Sequence, residues 1–302
     1  DVTIDGETRA AVVQTTKMGM TFVLDRETGE PLFPVEERPV PQTGAVEGEY
    51  LAPTQPFPQK PAPLHQLGFS ADDAWGFTPF DKASCRKALE NLTTGPIYTP
   101  VSKKGTVMYP SVLGGNNWGS PAADPERQIM LVTTNRVPMI VQLLPREQCS
   151  DSVSFPQKGS PFCGTLRPFL SSFGAPCTKP PWGTLDAVNL STGAIEWQVP
   201  LGTLKHQAIW PMSLVKGGVQ MGGPMVTQSG LVFVAASADR HIRAFDIKNG
   251  KVLWADEMPT TGNAIPMTYI SGGKQYVVIA AGGHFTSTSP SGDYLIAYAL
   301  PL

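Results

Sequence analysis

"AVNLSTGAIEW" (residues 187–197) and "AFDIKNGKVLW" (residues 244–254) match position by position. Each has an alanine, an Asx residue two positions on (Asn189, Asp246), a glycine four further (Gly193, Gly250) and a tryptophan four beyond that (Trp197, Trp254). An Asx side chain at a turn start accepts backbone N–H groups, glycine takes the position with φ > 0, and an indole has the area to pack on a neighbouring sheet. "VLDRETGEPLF" (residues 23–33) repeats the pattern with Asp25, Gly29 and Phe33. The two later copies lie 57 residues apart, from Ala187 to Ala244. Asp25 to Asn189 is close to three such spacings, which predicts degenerate copies between them. A unit that repeats and buries its faces only against neighbours reads as a β-propeller blade.

The rest of the chain agrees with an all-β class. Short β-rich runs recur, among them "AAVVQTT", "TFVLD", "IMLVTTN", "PMIVQLL", "LVFVAAS" and "QYVVIAAGG". Gly and Pro, 30 of each, are dispersed between the runs and leave little room for helices. A β-sandwich is the alternative architecture. Residues 34–95, with "PVEERPVPQ" and "APTQPFPQKPAP", interrupt the repeats and read as a long ordered excursion over one face. Such a segment caps an active site or shields a sheet edge.

Charged residues make up 16% of the 302 and the net charge is −2, so no basic footprint points to nucleic acid. No run of 18 apolar residues is present. The chain opens at Asp1 on residues that already look like strand, which reads as a processed subunit or fragment whose fold begins upstream. Cys85, Cys149, Cys163 and Cys177 lack zinc spacing, and His65, His206, His241 and His284 are scattered. Disulfides in an oxidising compartment and buried free thiols are both open readings. Cys149 and Cys163 flank the polar loop "CSDSVSFPQKGSPFC", and pairing them leaves Cys85 with Cys177, one of three connectivities. In "VVQTTKMGMTFVLD", Lys17 stands at the tip of a strand–turn–strand, where a long cation reaches over whatever the strands surround. A solvated surface lysine is the plain alternative.

Taken in order, "TTKMGMTFVLDRETGEPLFPVEERPVPQ", "LAPTQPF", "WGFTPFD", "GGNNWGSPAADPERQ", "FGAPCTKPPWG", "GGPMVTQSGLVFVAASADRHIRAFD", "PMTYISGGKQYVVIAAGGH" and "GDYLIAYALP" resemble the pyrroloquinoline quinone (PQQ)-dependent dehydrogenases. The similarity covers essentially the whole chain and is greatest to the membrane-bound branch that oxidises glucose, quinate or polyols. It implies an eight-bladed propeller with PQQ in its axial funnel, this chain (residues 1–302) supplying the later blades. The repeats above are then the family's tryptophan-docking repeats.

The resemblance places Lys17 against the quinone oxygens of PQQ, as a cation that stabilises developing negative charge. It places Asn117 and Trp118 of "NNW" at the cofactor, as a hydrogen-bonding amide and as π surface or an N–H. At "LVTTNRVP" the chain departs from the family. Thr133 stands where some relatives carry a cofactor-facing Asn, and Asn135, on the same strand face, is the candidate to replace it. His284 of "AAGGH" matches a histidine that influences substrate binding, and Asp239 of "SADRH" matches an acidic residue for which a structural role is expected.

The family's general-base aspartate, most ligands of its divalent cation (Ca or Mg) and the tryptophan that stacks on PQQ lie upstream of a match to Asp1. Asp1 and Asp5 do not fit the base. The resemblance therefore implies the C-terminal part of a propeller completed by an N-terminal chain or fragment, and inactive alone. The assembled protein is expected to be periplasmic and held at the inner membrane through that N-terminal part. It would oxidise an alcohol or sugar and pass electrons to ubiquinone, since no haem-binding C-x-x-C-H is present. The alternatives are a non-catalytic propeller scaffold and a soluble PQQ alcohol dehydrogenase that reduces a cytochrome.

Overall fold

The three Asx–Gly turns form as their chemistry dictates. Asn189 Oδ1 accepts from the N–H groups of Ser191 and Thr192 (3.0 and 3.1 Å), Asp246 Oδ1 from Lys248 (2.8 Å), and Asp25 Oδ1 from Glu27 and Thr28 (2.9 and 3.0 Å). Gly29, Gly193 and Gly250 close the turns with φ of 79°, 71° and 67°. These contacts come from a computed structural model that describes residues 1–150, 155–210, 212–284 and 289–301.

The turns join strands of successive antiparallel blades. One blade pairs Ala122–Asp124, Ile129–Asn135, Gly183–Asn189 and Ile195–Pro200 in that order. The next pairs Met225–Val226, Leu231–Val234, His241–Asp246 and Val252–Glu257. A three-stranded sheet of Met267–Ser271, Lys274–Ala281 and Tyr294–Tyr298 follows. A hairpin of Ala11–Thr15 and Thr21–Asp25 precedes them.

Side-chain alternation along the strands explains the stacking. On the first full blade, Met130, Val132 and Val188 pack with Val2, Val13 and Leu64, while Leu131, Leu185 and Ala187 face Val232, Val234 and Phe245 of the next. That second blade turns Ala235 and Ile242 to Val277 and Ile279 of the sheet beyond. The inner strands of the two full blades pack on a neighbour at each face, which is propeller stacking and not a two-sheet sandwich.

Trp197 latches one blade to the next. Its Nε1 donates to Ile247 O at 2.8 Å, and a Cβ on Gly250 would lie 2.8 Å from its ring. Gly250→Ala therefore combines left-handed backbone strain with a clash, and should destabilise by about 2–3 kcal/mol. Gly272→Ala, at φ 56° with nothing within 4 Å, should cost only the backbone part, ~1 kcal/mol. Urea unfolding of the two variants checks the difference, and equal losses would deny the latch.

The span from Asp25 to Asn189 is not filled by evenly spaced copies of the repeat. Residues 34–95 form the excursion, with ribbons Val35–Pro39/Thr54–Pro58 and Gly68–Phe69/Gly95–Pro96. It also holds a helix, α1 (Pro79–Leu89), that the Pro/Gly-rich surroundings conceal. Thr78 Oγ1 caps it by accepting from Asp81 N–H (3.1 Å), Pro79 occupies its first turn, and Arg86 and Lys87 sit in its last. A sheet of Phe155–Pro156, Phe162–Pro168, Met139–Pro145 and Thr106–Met108 takes up most of the remainder. Its two long strands lie between the second and third strands of the first full blade, and Asn135 is paired directly with Gly183 across the departure and return.

Both expected disulfides are present, Cys85–Cys177 and Cys149–Cys163, and no cysteine is free. Residues 151–154 of the loop inside the second lie outside the described residues. Cys85 and Cys177 are buried with Phe69, Leu89, Val107, Tyr109, Ile140 and Phe169, so the bridge joins α1 to a core shared with the interposed sheet.

Candidate cofactor site

The turn between Ala11–Thr15 and Thr21–Asp25 is closed by Thr16 N–H to Met20 O (3.1 Å) and Gly19 N–H to Thr16 O (3.0 Å), with Gly19 at φ 73°. Lys17 projects from its tip and is exposed in this chain. Its ammonium donates to Val112 O at 2.8 Å. With the amide of Asn117 oriented so that donors meet acceptors, its oxygen accepts from Lys17 Nζ at 3.2 Å and its nitrogen donates to Leu113 O at 2.6 Å. Two of the three ammonium N–H groups are thereby engaged, and one remains for a ligand.

Trp118 stands beside this cation, its ring centroid 5.7 Å from Lys17 Nζ. The indole N–H is committed to Leu113 O (2.6 Å), so the side chain offers its face and not a donor. Trp118 as a residue is 47% exposed, and His284 meets the indole edge-on with centroids 6.4 Å apart. The structure therefore brings Lys17, Asn117, Trp118 and His284 together.

Asn135 sits behind this group in another capacity. Its N–H donates to Gly115 O (2.8 Å), but its buried side chain donates to Gln220 O (2.9 Å) and accepts from Gln220 N–H (2.7 Å). The amide sews the strand to the neighbouring segment and is not turned out towards a ligand. Thr133 likewise donates to Gly222 O (2.8 Å). Asp239, for which a structural role is expected, is buried. Its buried carboxylate accepts from Arg243 and from Thr203 N–H (2.9 Å).

Three supports were not legible in the sequence. Asn116 is buried and donates to Thr134 Oγ1 (2.6 Å), which donates in turn to the buried carboxylate of Asp186. Gly119 lets the "NNWG" turn approach Gly222 and Gly223, since a Cβ there would lie 2.0 Å from Gly223 N. His65, delivered by the excursion, is buried against Gly19 and Gly115. Only the adjacent glycines at 114–115 and 222–223 hinted at close backbone approach.

Burial pushes the His65 imidazole down from 6.5 to about 4, and the nearby Arg136 charge adds to the effect. Between those values the unfolded chain binds a proton that the folded chain refuses. Stability should therefore be fully present above pH 6.5 and fall by about 3 kcal/mol as the pH drops to 4. The check is urea unfolding of the wild type against His65→Phe at pH 7 and pH 4. The wild type should lose about 3 kcal/mol more than the variant, and parallel losses would contradict the shift.

An ammonium, an amide and the open face of an indole, on turns between propeller strands, make a donor set for a planar, oxygen-rich anion. Residues 1–277 match the family described as "PQQ: Glucose/ethanol/alcohol dehydrogenase, beta-propeller domain". The chain belongs to this family.

The chain is 40% identical over 319 residues to "Quinoprotein glucose dehydrogenase" of Escherichia coli (strain K12), covering 100% of this chain and 40% of the relative. It is also 40% identical over 320 residues to "Quinate/shikimate dehydrogenase (quinone)" of Acinetobacter baylyi, covering 98% and 39%. Among solved structures, quinohemoprotein alcohol dehydrogenase from Comamonas testosteroni superposes with a TM-score of 0.58 at 19% identity, over 99% of this chain and 37% of that one. This last likeness speaks to the fold alone. The chain spans about two fifths of the length of these curated relatives.

The donor set fits PQQ, a planar tricarboxylate with an ortho-quinone. The ammonium suits a quinone or carboxylate oxygen, and the exposed indole face suits a conjugated ring.

Proposed function

We propose that this chain forms part of a PQQ-dependent dehydrogenase that oxidises a sugar, polyol or cyclitol acid of the glucose or quinate/shikimate type and passes electrons to ubiquinone. The convergence of Lys17, Asn117 and Trp118 on one patch of a quinoprotein propeller carries this reading. The names of the relatives supply the substrate class and the quinone acceptor.

PQQ, when bound, supplies an electrophilic quinone that takes up hydride from an alcohol carbon. The chain's own residues prepare the place. Val112 O and Asn117 fix the Lys17 ammonium, so its charge is oriented before negative charge develops on a neighbouring oxygen. Leu113 O holds the indole N–H of Trp118, which sets the ring's face, and His284 borders its edge.

Among the described residues no group of three or more His, Cys, Asp or Glu is arranged to hold a metal. A Ca or Mg ion would draw its ligands mainly from an N-terminal chain or fragment that completes the propeller. The proton-accepting aspartate would come from the same part. We place the assembled protein in the periplasm, associated with the inner membrane through that part. No helix of the described residues is long and apolar enough to cross a membrane.

The test is reconstitution with PQQ and Ca or Mg, followed by tryptophan fluorescence and by dye-linked oxidation of glucose, quinate and glycerol. Saturable quenching and PQQ-dependent turnover of one substrate class are expected. Absence of saturable binding with the completing part present would overturn the reading.

A further inference from the structure

One buried imidazole has no part in the chemistry above. His65 Nδ1 lies 2.7 Å from Gln66 O, so Nδ1 carries the proton and Nε2 keeps a lone pair. Nε2 is buried and meets no donor among the described residues. A buried acceptor left without a partner is destabilising, and a phenyl ring of similar outline would avoid that cost. The ring is nonetheless held firmly. Leu64 N–H donates to Gly19 O (3.2 Å), Leu64 O accepts from Arg136 Nη2 (2.7 Å) and Gln198 Nε2 (3.1 Å), and Tyr109 packs edge-on at 5.7 Å.

The ring's free edge points at two glycines. A Cβ on Gly19 would fall 1.8 Å from His65 Nε2, and one on Gly115 would fall 2.5 Å from it. Gly19 belongs to the turn that carries Lys17, and Gly115 to the turn that carries Asn117 and Trp118. The two turns also meet directly, through Gly115 N–H to Lys17 O at 2.7 Å.

We propose that His65 is a positioning residue: the Nε2 edge of its ring, seated against Gly19 and Gly115, sets the separation of the Lys17 turn from the Asn117–Trp118 turn. The excursion is thus a brace that reaches behind the site. The inference rests on the cofactor reading only for its consequence, since the contact itself involves no ligand.

The test uses hydrogen exchange of the full chain without cofactor, and then PQQ titration with the completing part present. His65→Asn keeps a donor for Gln66 O and loses the far edge, whereas His65→Phe keeps the ring. In His65→Asn, the Gly19 and Gly115 amides should exchange about tenfold faster, while amides of Ile129–Asn135 stay as protected as in the wild type. His65→Phe should restore slow exchange. PQQ affinity should fall about tenfold in the Asn variant and recover in the Phe variant. Gly115→Ala, which pushes on the same ring edge from the Asn117–Trp118 turn, should reproduce the local acceleration and covers the case of a misfolded Asn variant. Unchanged exchange at both turns, or faster exchange spread evenly over the blades, would overturn the proposal. The expected exchange pattern in a protein that binds no PQQ would uphold the brace and sink the cofactor reading.

Discussion

Lys17→Ala, measured in the PQQ-loaded protein, is expected to lower kcat by about 10²–10³-fold, the usual cost of removing one oriented donor to a developing anion. The size follows from how the ammonium is held. Val112 O and Asn117 orient it beside an indole before any ligand arrives, so little reorganisation is needed when charge appears. Lys17 is exposed in this chain, and on the proposed reading its interaction would strengthen as a bound cofactor excludes water. Substrate KM should move much less than kcat, because the lysine addresses the cofactor and not the alcohol. Lys17→Arg should recover only part of the loss, because a planar fork does not place its charge where a compact ammonium does. A loss of kcat smaller than tenfold on Lys17→Ala would remove the residue from the site.

The second large effect concerns the Cys85–Cys177 bridge. It spans 92 residues of sequence, and closing a loop of that length restricts the unfolded chain by about 4–5 kcal/mol in the entropic account. Both sulfurs are buried in an apolar cluster, so replacing the pair by alanine adds a packing loss to the entropic one. The Cys149–Cys163 bridge spans only 14 residues and should contribute about 3 kcal/mol. Urea unfolding of the two double variants is expected to place Cys85→Ala/Cys177→Ala clearly below Cys149→Ala/Cys163→Ala. The reverse order would show that strain or residual denatured structure, and not loop length, governs these bridges.

Local chemistry was legible in the sequence, and composite geometry was not. Asn189–Gly193, Asp246–Gly250 and the Lys17 turn each depend on a handful of adjacent residues, and each forms as read. Helix α1 escaped because its buried positions, Asp81, Cys85 and Leu89, include a carboxylate and a disulfide sulfur, which weakens the apolar stripe. Its capping signals at Thr78 and Pro79 were present but lay in a Pro-rich setting. Asn135 was placed correctly by strand periodicity, yet periodicity says nothing about which backbone its amide meets. That partner, Gln220, is 85 residues away. His65 gave no signal, because a ring that acts by its edge on two distant glycines leaves no local pattern. The even spacing of blades misled over residues 34–182, where the chain inserts a helix, ribbons and a second sheet into the interval.

The chain leaves the blade at Asn135 and returns to it at Gly183, residues paired across adjacent strands. Neighbouring strands lie about 5 Å apart, so the register of this strand pair asks only that the two ends stay together. Doubling the length of such a connection costs about 0.6 kcal/mol in closure entropy, little beside the stability of a blade. Residues 136–182 can therefore vary in length without disturbing the blade's register, provided the ties of Cys177 to α1 and of Met139–Val141 to Thr106–Met108 are kept. Within those ties, evolution or an engineer can alter the segment while the blade's registry is left intact.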